Sequence, residues 1–298
     1  MGAQIIDGKR VADNLRAQLA TRVQTLKVRG IVPGLTAVLV GDNPASASYV
    51  KSKKIAAAKI GINSNVIELP ATIGQSELDG VIDRLNADPS VHGYIVQLPL
   101  PPHLSVERTI QRIAPHKDAD CFHAENVGLL ALGHPRFLPA TPAGIVELLR
   151  FYAIEISGAD VVILGRSDIV GRPLSILLSI KSPTGNATVT VCHTRTKNLA
   201  EHTRRADILV AAMGHPDTVT ARMVKPGAVV IDVGTNRVSD STAEKGYRLV
   251  GDVNFPAVSE VAGWITPVPG GVGPMTVTML LANTVTAAEL ACLSGPSK

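Results

Sequence analysis

Tyr49 and Lys53 stand four residues apart in "SASYVKSKKIAAAKIG" (46–61), a stretch that reads as a helix ending at glycine. That spacing puts the phenol and the amine on one helix face, one turn apart. Lys51, Lys54 and Lys59 suit solvent, whereas Lys53 shares its stripe with Tyr49, Ala56 and Ala57. A lysine on a half-buried face has its charged form disfavoured by desolvation and can exchange protons near neutrality. The plainer alternative is a solvated surface pair. Gln97 sits where "GYIVQLPLPP" (93–102) leaves its strand, the edge at which parallel sheets collect ligands. Its alternative is a loop-forming glutamine ahead of prolines. In "HKDAD" (116–120), Asp120 suits an acceptor for the N–H edge of a ligand. Asp118, Asp120, Cys121 and His123 match no zinc spacing, so no metal is expected.

A second chemical feature is "VVILGRSDIVGRPLSILL" (161–178), an apolar run, a glycine and then a helical pattern. A helix following Gly165 points free N–H groups and a positive dipole end at an anion, with Ser167 or Asp168 as its cap. Gly171 has the role of the last glycine of a dinucleotide fingerprint, close packing of helix on strand. The usual G-x-G-x-x-G is absent, because Arg166 and Ser167 follow Gly165, and a glycine-bearing turn of any α/β domain remains an equal alternative. The next strand ends in "CHTRTKN" (192–198), which has no acid to hold ribose hydroxyls. Arg166, Arg195 and Thr194 instead suit a 2′-phosphate, so the expected nucleotide is NADP. For Arg195 in particular, a solvated surface position is the alternative.

These side chains need sheets to hold them. "LTAVLVG" (35–41), "NVIEL" (65–69) and "GYIVQLPLPP" read as strands, alternating with helices over 11–26, 46–61 and 76–86. The segment 114–144 has little periodicity and reads as a cleft-lining linker, after which Thr141 and Pro142 open a helix through about Tyr152. Strands at 160–165, 187–193, 207–214 and 227–234 then follow a Rossmann-like βαβ pattern. Val277, Leu281, Val285, Ala288 and Cys292 mark a last helix, closed by Gly295 and Pro296. With the second sheet already complete, that helix is expected to return to the first domain. The fold class is therefore α/β with a cleft between two domains: 1–142 joined by 277–298, and a Rossmann domain at 143–276.

Composition excludes several functions. Hydrophobic residues at 45% and charged residues at 18% describe a globular chain. Aromatics at 3% argue against base-stacking surfaces, and the net charge of +4 is spread without a stripe, so no nucleic-acid partner is expected. The three cysteines have no C-x-x-C spacing, which suits a reducing cytoplasm. The N-terminus lacks an apolar signal core, and no apolar run reads as long enough to span a bilayer, so no membrane partner is expected.

"GDNPASASYVKSKK", "VQLPLP", "HKDAD", "TPAGIVELL", "GRSDIVGRP", "VVIDVGTN", "GDV" and "TPVPGGVGPMT", in order from about residue 40 to 285, closely resemble the bifunctional methylenetetrahydrofolate dehydrogenase/cyclohydrolase family. The resemblance implies that Lys53 is the catalytic lysine with Tyr49 and Gln97 beside it. It implies that Asp120 holds the pterin, that Tyr49, Pro269 and Gly270 line the folate, and that Gly165, Arg166, Ser167, Thr194 and Thr235 contact NADP, joined by Arg195. It further implies NADP-dependent oxidation of 5,10-methylenetetrahydrofolate, hydrolysis of the methenyl product, and a homodimer. Where the family continues "KDVDG", this chain has Cys121 in place of the glycine. The alternatives are an NADP dehydrogenase of shikimate type, against which "PVPGGVGPMT" speaks, and a non-catalytic nucleotide-binding protein.

Overall fold

The computed structural model describes residues 2–243 and 246–294. In chain order the strands are β1 (Gln4–Ile5), β2 (Gly34–Val40), β3 (Asn63–Leu69), β4 (Gly93–Val96), β5 (Asp160–Leu164), β6 (Thr188–Cys192), β7 (Ile208–Ala211), β8 (Val229–Asp232), β9 (Asn236–Ser239), β10 (Tyr247–Val250) and β11 (Trp264–Ile265). The α-helices are α1 (Gly8–Val28), α2 (Pro44–Lys59), α3 (Gln75–Ala87), α4 (Val106–Arg112), α5 (Ala124–Ala131), α6 (Ala140–Phe151), α7 (Gly171–Ser179), α8 (Leu199–Thr203), α9 (Phe255–Ser259) and α10 (Val272–Ser294). The chain divides into two compact units: Asn14–Ala140 with the chain from Val277 on, and Thr141–Thr276 with the residues up to Asp13.

In the first unit β2 is central, parallel to β3 on one side and β4 on the other. All seven residues of β2 are buried, as a strand covered on both faces requires. Leu35, Ala37 and Leu39 pack with Val23, Ala57, Leu281 and Val285, while Val38 and Val40 pack with Leu78, Ile82 and Tyr94 on the opposite face. The residues of α10 from Val277 on thus complete the core of this unit. By length and composition α10 is apolar enough to cross a membrane, with a mean hydropathy of 1.4, contrary to the expectation that no apolar run is long enough. Its apolarity serves the core, because Leu280, Leu281, Val285 and Ala288 are buried. Gly295 and Pro296, expected to close it, lie outside the described residues.

The second unit has a six-stranded sheet of order β1-β11-β8-β7-β5-β6, every pairing parallel. The first residues, up to Asp13, belong to this unit, whereas the expected boundary put them in the first domain with the rest of 1–142. Gln4 pairs with Trp264 and Ile5 with Ile265, and Ala3 N–H donates to the Ser259 carbonyl at 2.7 Å. The sheet extends by β11 and β1 beyond the four expected strands, and β9 and β10 form a separate antiparallel hairpin.

Four local expectations need correction. The strand read over 93–102 is only β4: Gln97 N–H still donates to the Val38 carbonyl at 2.8 Å, but Pro99, Pro101 and Pro102 have no N–H to give. The aperiodic stretch 114–144 contains a 3-10 turn at Pro115–Lys117 and α5, which His123 caps by accepting from Glu125 N–H at 3.1 Å. Helix α6 starts at Ala140, so Thr141 is in its first turn and its hydroxyl meets that of Thr276 at 2.9 Å. Neither Ser167 nor Asp168 caps α7, which begins at Gly171. Ser167 Oγ instead accepts from Val170 N–H at 3.2 Å inside the preceding turn, and Asp168 pairs with Arg172.

Candidate functional site

In the first unit the exit of β2 leads directly into α2, whose start is held by Asn43 Oδ1 accepting from Ser46 N–H at 3.2 Å. This helix directs Lys53 inward, to 8% exposure, and leaves Tyr49 at 46%. Lys53 Nζ donates to Gln97 Oε1 at 3.0 Å, and Gln97 Nε2 donates to its neighbour's carbonyl, Leu98 O, at 2.8 Å. The second bond fixes which end of the amide faces the lysine. Burial pushes the Lys53 ammonium below the ordinary lysine range, and the Asp120 carboxylate acts against that shift. Burial raises Asp120 above the ordinary carboxylate range, opposed by Lys53 and reinforced by Asp118. Amine and carboxyl are therefore both moved toward their neutral forms.

The two aspartates of "HKDAD" divide their work. Asp118, 1% exposed, accepts from His123 N–H at 2.8 Å and from Asn126 Nδ2 at 2.9 Å, and its backbone bridges to Tyr94. It holds the turn, and Asp120 faces the lysine. Asn283 of α10 grips the same turn, donating to Ala119 O and Leu138 O, both at 2.8 Å. Cys121 adopts φ +63°, the left-handed conformation that a glycine takes readily. Its side chain is buried, with Sγ donating to Phe137 O at 3.3 Å. Asn126 and Asn283 escaped the sequence reading because their partners lie far off in the chain, and no periodicity marks them.

In the second unit Gly165, Arg166 and Ser167 follow β5, Thr194 and Arg195 follow β6, and Thr235 follows β8. Because those strands are parallel, all six residues lie beyond one carboxyl edge of the sheet, where nucleotides bind in such folds. Gly165 has φ +124°, and a Cβ there would meet Ala212 O at 2.2 Å. A Cβ on Gly171 would meet Gly165 O at 2.1 Å, so α7 packs against the turn as a dinucleotide fold demands. Beyond β6 the hydroxyl of Thr196 accepts from His193 N–H at 2.9 Å, a local turn that leaves Thr194 and Arg195 exposed. Arg166, Ser167 and Thr235 are exposed as well. These residues fit a dinucleotide with a 2′-phosphate: a glycine for close approach, exposed guanidiniums and hydroxyls, and no carboxylate in 192–198. Pro269 and Gly270 belong to this unit, in a loop held by Gly271 N–H on Pro267 O at 2.8 Å and Lys9 N–H on Gly270 O at 3.1 Å. Among the described residues, no group of three or more His, Cys, Asp or Glu is placed to hold a metal ion.

Family comparisons cover both units. The catalytic domain of the tetrahydrofolate dehydrogenase/cyclohydrolase family matches residues 6–120, and its NAD(P)-binding domain matches residues 139–292. The chain belongs to this family. Relatives share its whole length: Bifunctional protein FolD 1 of Myxococcus xanthus is 53% identical over 96% of this chain and 98% of its own. Bifunctional protein FolD of Bacillus subtilis is 51% identical over 97% and 99%. Among solved structures, the FolD methylenetetrahydrofolate dehydrogenase/cyclohydrolase of Campylobacter jejuni has 47% identity and a TM-score of 0.91, covering 97% of this chain and 99% of its own. The Trypanosoma brucei FolD, complexed with NADP and an inhibitor, has 42% identity and a TM-score of 0.94, covering 99% and 100%. The tetrahydrofolate dehydrogenase/cyclohydrolase family thus accounts for the α/β architecture of both units.

Proposed function

We propose that this protein oxidises 5,10-methylenetetrahydrofolate with NADP and hydrolyses the resulting 5,10-methenyltetrahydrofolate to 10-formyltetrahydrofolate. Membership of the family supports the pair of reactions, and the buried Lys53, bonded to Gln97 and facing the charge of Asp120, is the observation that carries the assignment of roles. A shikimate-type dehydrogenase is not favoured, because both matched domains belong to a folate family. A non-catalytic nucleotide-binding protein has no use for a desolvated lysine bonded to a strand-end glutamine.

Bound NADP supplies the hydride acceptor for the first reaction. That step needs alignment and exclusion of water, with no acid or base. Asp120 accepts from the pterin N–H edge, and Tyr49, Pro269 and Gly270 line the folate. Hydrolysis asks more of the protein. Water adds to the cationic methenyl carbon and loses a proton, giving a neutral carbinolamine. The bond from that carbon to N5 then breaks as N5 gains a proton and the carbinol hydroxyl releases its own to solvent, leaving the 10-formyl group. Lys53, shifted toward its neutral form, takes the proton from the adding water and returns it to N5, with Gln97 fixing the direction of Nζ. Gly165, Arg166, Ser167, Thr194, Arg195 and Thr235 bind the dinucleotide, and the two arginines select the 2′-phosphate. We place the enzyme in the cytoplasm, a reading supported by the free thiols of Cys121, Cys192 and Cys292, and as a homodimer, supported by the family resemblance.

Purified protein given NADP and 5,10-methylenetetrahydrofolate should produce NADPH, with methenyltetrahydrofolate absorbance that rises and then decays. No NADPH would remove the proposal. NADPH with a methenyl product that persists at the uncatalysed rate would remove its second half.

A further inference from the structure

Two buried carboxylates interlock at the carboxyl edge of the large sheet. Asp232, at the end of β8, is 3% exposed, and Asp252, after β10, is 0% exposed. Asp232 Oδ1 accepts from Gly234 N–H at 3.0 Å and from Asp252 N–H at 2.9 Å, and Oδ2 accepts from Val253 N–H at 3.0 Å. Asp252 Oδ2 accepts from Met213 N–H at 2.6 Å and Gly214 N–H at 2.8 Å, and Oδ1 accepts from Asn236 Nδ2 at 2.9 Å. Each aspartate occupies the space a glycine leaves: a Cβ on Gly251 would sit 1.8 Å from Asp232 Oδ2, and one on Gly234 2.3 Å from Asp252 Oδ1. The "DVG" and "GDV" motifs are therefore two halves of one lock. The lock reaches one loop further, since Asp232 N–H donates to Thr266 Oγ1 at 2.7 Å.

These bonds exceed what strand pairing needs. They join the exits of β7 and β8 to the segment after β10, and they grip Thr235 from both sides, through Gly234 on Asp232 and Asn236 on Asp252. Strand order places β8 on the far side of β5 from β6. A dinucleotide whose 2′-phosphate lies at Thr194 and Arg195, beyond β6, extends over the Gly165 turn toward β7 and β8, so its nicotinamide half meets the locked loops. We propose that Asp232 and Asp252 are positioning residues for that half of the cofactor, holding the backbone of 213–214 and 234–236 in the conformation that receives it. Neither carboxylate touches the ligand. Each acts through the loops it anchors, as outer partners orient the groups that do the binding.

The inference rests on the strand-end cofactor site proposed above, and binding of NADP and of 2′,5′-ADP, which carries only the adenosine half, tests the two separately. Asn236→Ala removes one tether at a half-buried position, and Asp252→Asn weakens the acceptor for all three donors. Each should weaken NADP about tenfold or more, the scale of one charge-assisted hydrogen bond, and leave 2′,5′-ADP within about twofold. Hydrolysis of supplied methenyltetrahydrofolate by Asn236→Ala reports that the fold is intact, and this variant carries the test alone if Asp252→Asn does not fold. Equal losses of both ligands would reduce the lock to a general support of the unit and overturn the proposal, as would parent affinity for NADP in both variants. Arg166→Ala checks the underlying site: parent affinity for both ligands in that variant would show the site itself to be misplaced.

Discussion

Lys53 and Gln97, 44 residues apart in the chain, meet through a hydrogen bond of 3.0 Å from Nζ to Oε1. The bond joins α2 to the end of β4, so the amine is aimed by two separate elements. Replacing Lys53 by Met keeps the length and removes the proton carrier. Hydrolysis of supplied methenyltetrahydrofolate should fall about 10²-fold or more, the usual scale for a positioned acid or base, while oxidation falls less. Parent rates of hydrolysis in this variant would discard the role.

The pH dependence of hydrolysis carries a sign. The neutral amine is the active base, so the rate should rise as pH climbs through the Lys53 pKa, which burial places below the ordinary 10.5. The Asp120 carboxylate holds that pKa up against burial, so Asp120→Asn should move the rising limb to lower pH as well as weaken folate binding. A limb that stays put, measured at saturating folate, would show that the two charges are not coupled.

Arg166→Ala should weaken NADP by one to two decades and NAD much less, because one charged contact to phosphate contributes roughly 1.5–3 kcal/mol. Equal losses for the two nucleotides, measured by titration, would assign the arginine to a part of the dinucleotide they share.

Cys121 supplies a test of local strain. Its left-handed backbone costs about 1–2 kcal/mol for a residue bearing Cβ, and its buried side chain returns a similar amount by packing. Cys121→Gly should therefore unfold in denaturant within about 1 kcal/mol of the parent and keep its KM for folate. Cys121→Val, β-branched at positive φ, should lose more than about 2 kcal/mol. A valine variant as stable as the parent would mean that the turn relaxes at no cost.

Asp232 gives stability a pH dependence. Burial pushes its carboxyl up to about 6, with Asp252 adding to the shift and the three backbone donors opposing it. The folded state therefore binds the proton more tightly than the unfolded chain. This contribution to stability is full below about pH 4, the unfolded value, and is lost as pH rises to about 6, a total of about 3 kcal/mol. A carboxyl resonance of Asp232 titrating near 6 by carbon NMR is the expected result, and a midpoint at or below 4 would refute it.

The sequence by itself settles what depends on neighbours along the chain. Four-residue spacing puts Tyr49 and Lys53 on one face of α2, Gly30 and Gly61 end their helices at positive φ, and the acid-free "HTRT" follows a β-strand as its pattern requires. Ordered motifs from residue 40 to 285 identify the folate family. These are local or linear signals, and periodicity or direct comparison reads them.

Tertiary structure alone decides which of those residues are buried and what they touch. The spacing of Tyr49 and Lys53 says nothing of the 46% and 8% exposures that separate them, because burial depends on the sheet beneath the helix. Asp118 and Asp120 look alike in "HKDAD", and only the donors from His123 and Asn126 make the first a brace and leave the second to face Lys53. Residues 4 and 5 join a sheet whose partner strand lies some 260 positions away, which no local pattern announces. The interlocked Asp232 and Asp252 are legible as "DVG" and "GDV" but not as a pair, since Asp252 follows a strand of the separate β9–β10 hairpin and meets the end of β8 only in the folded chain.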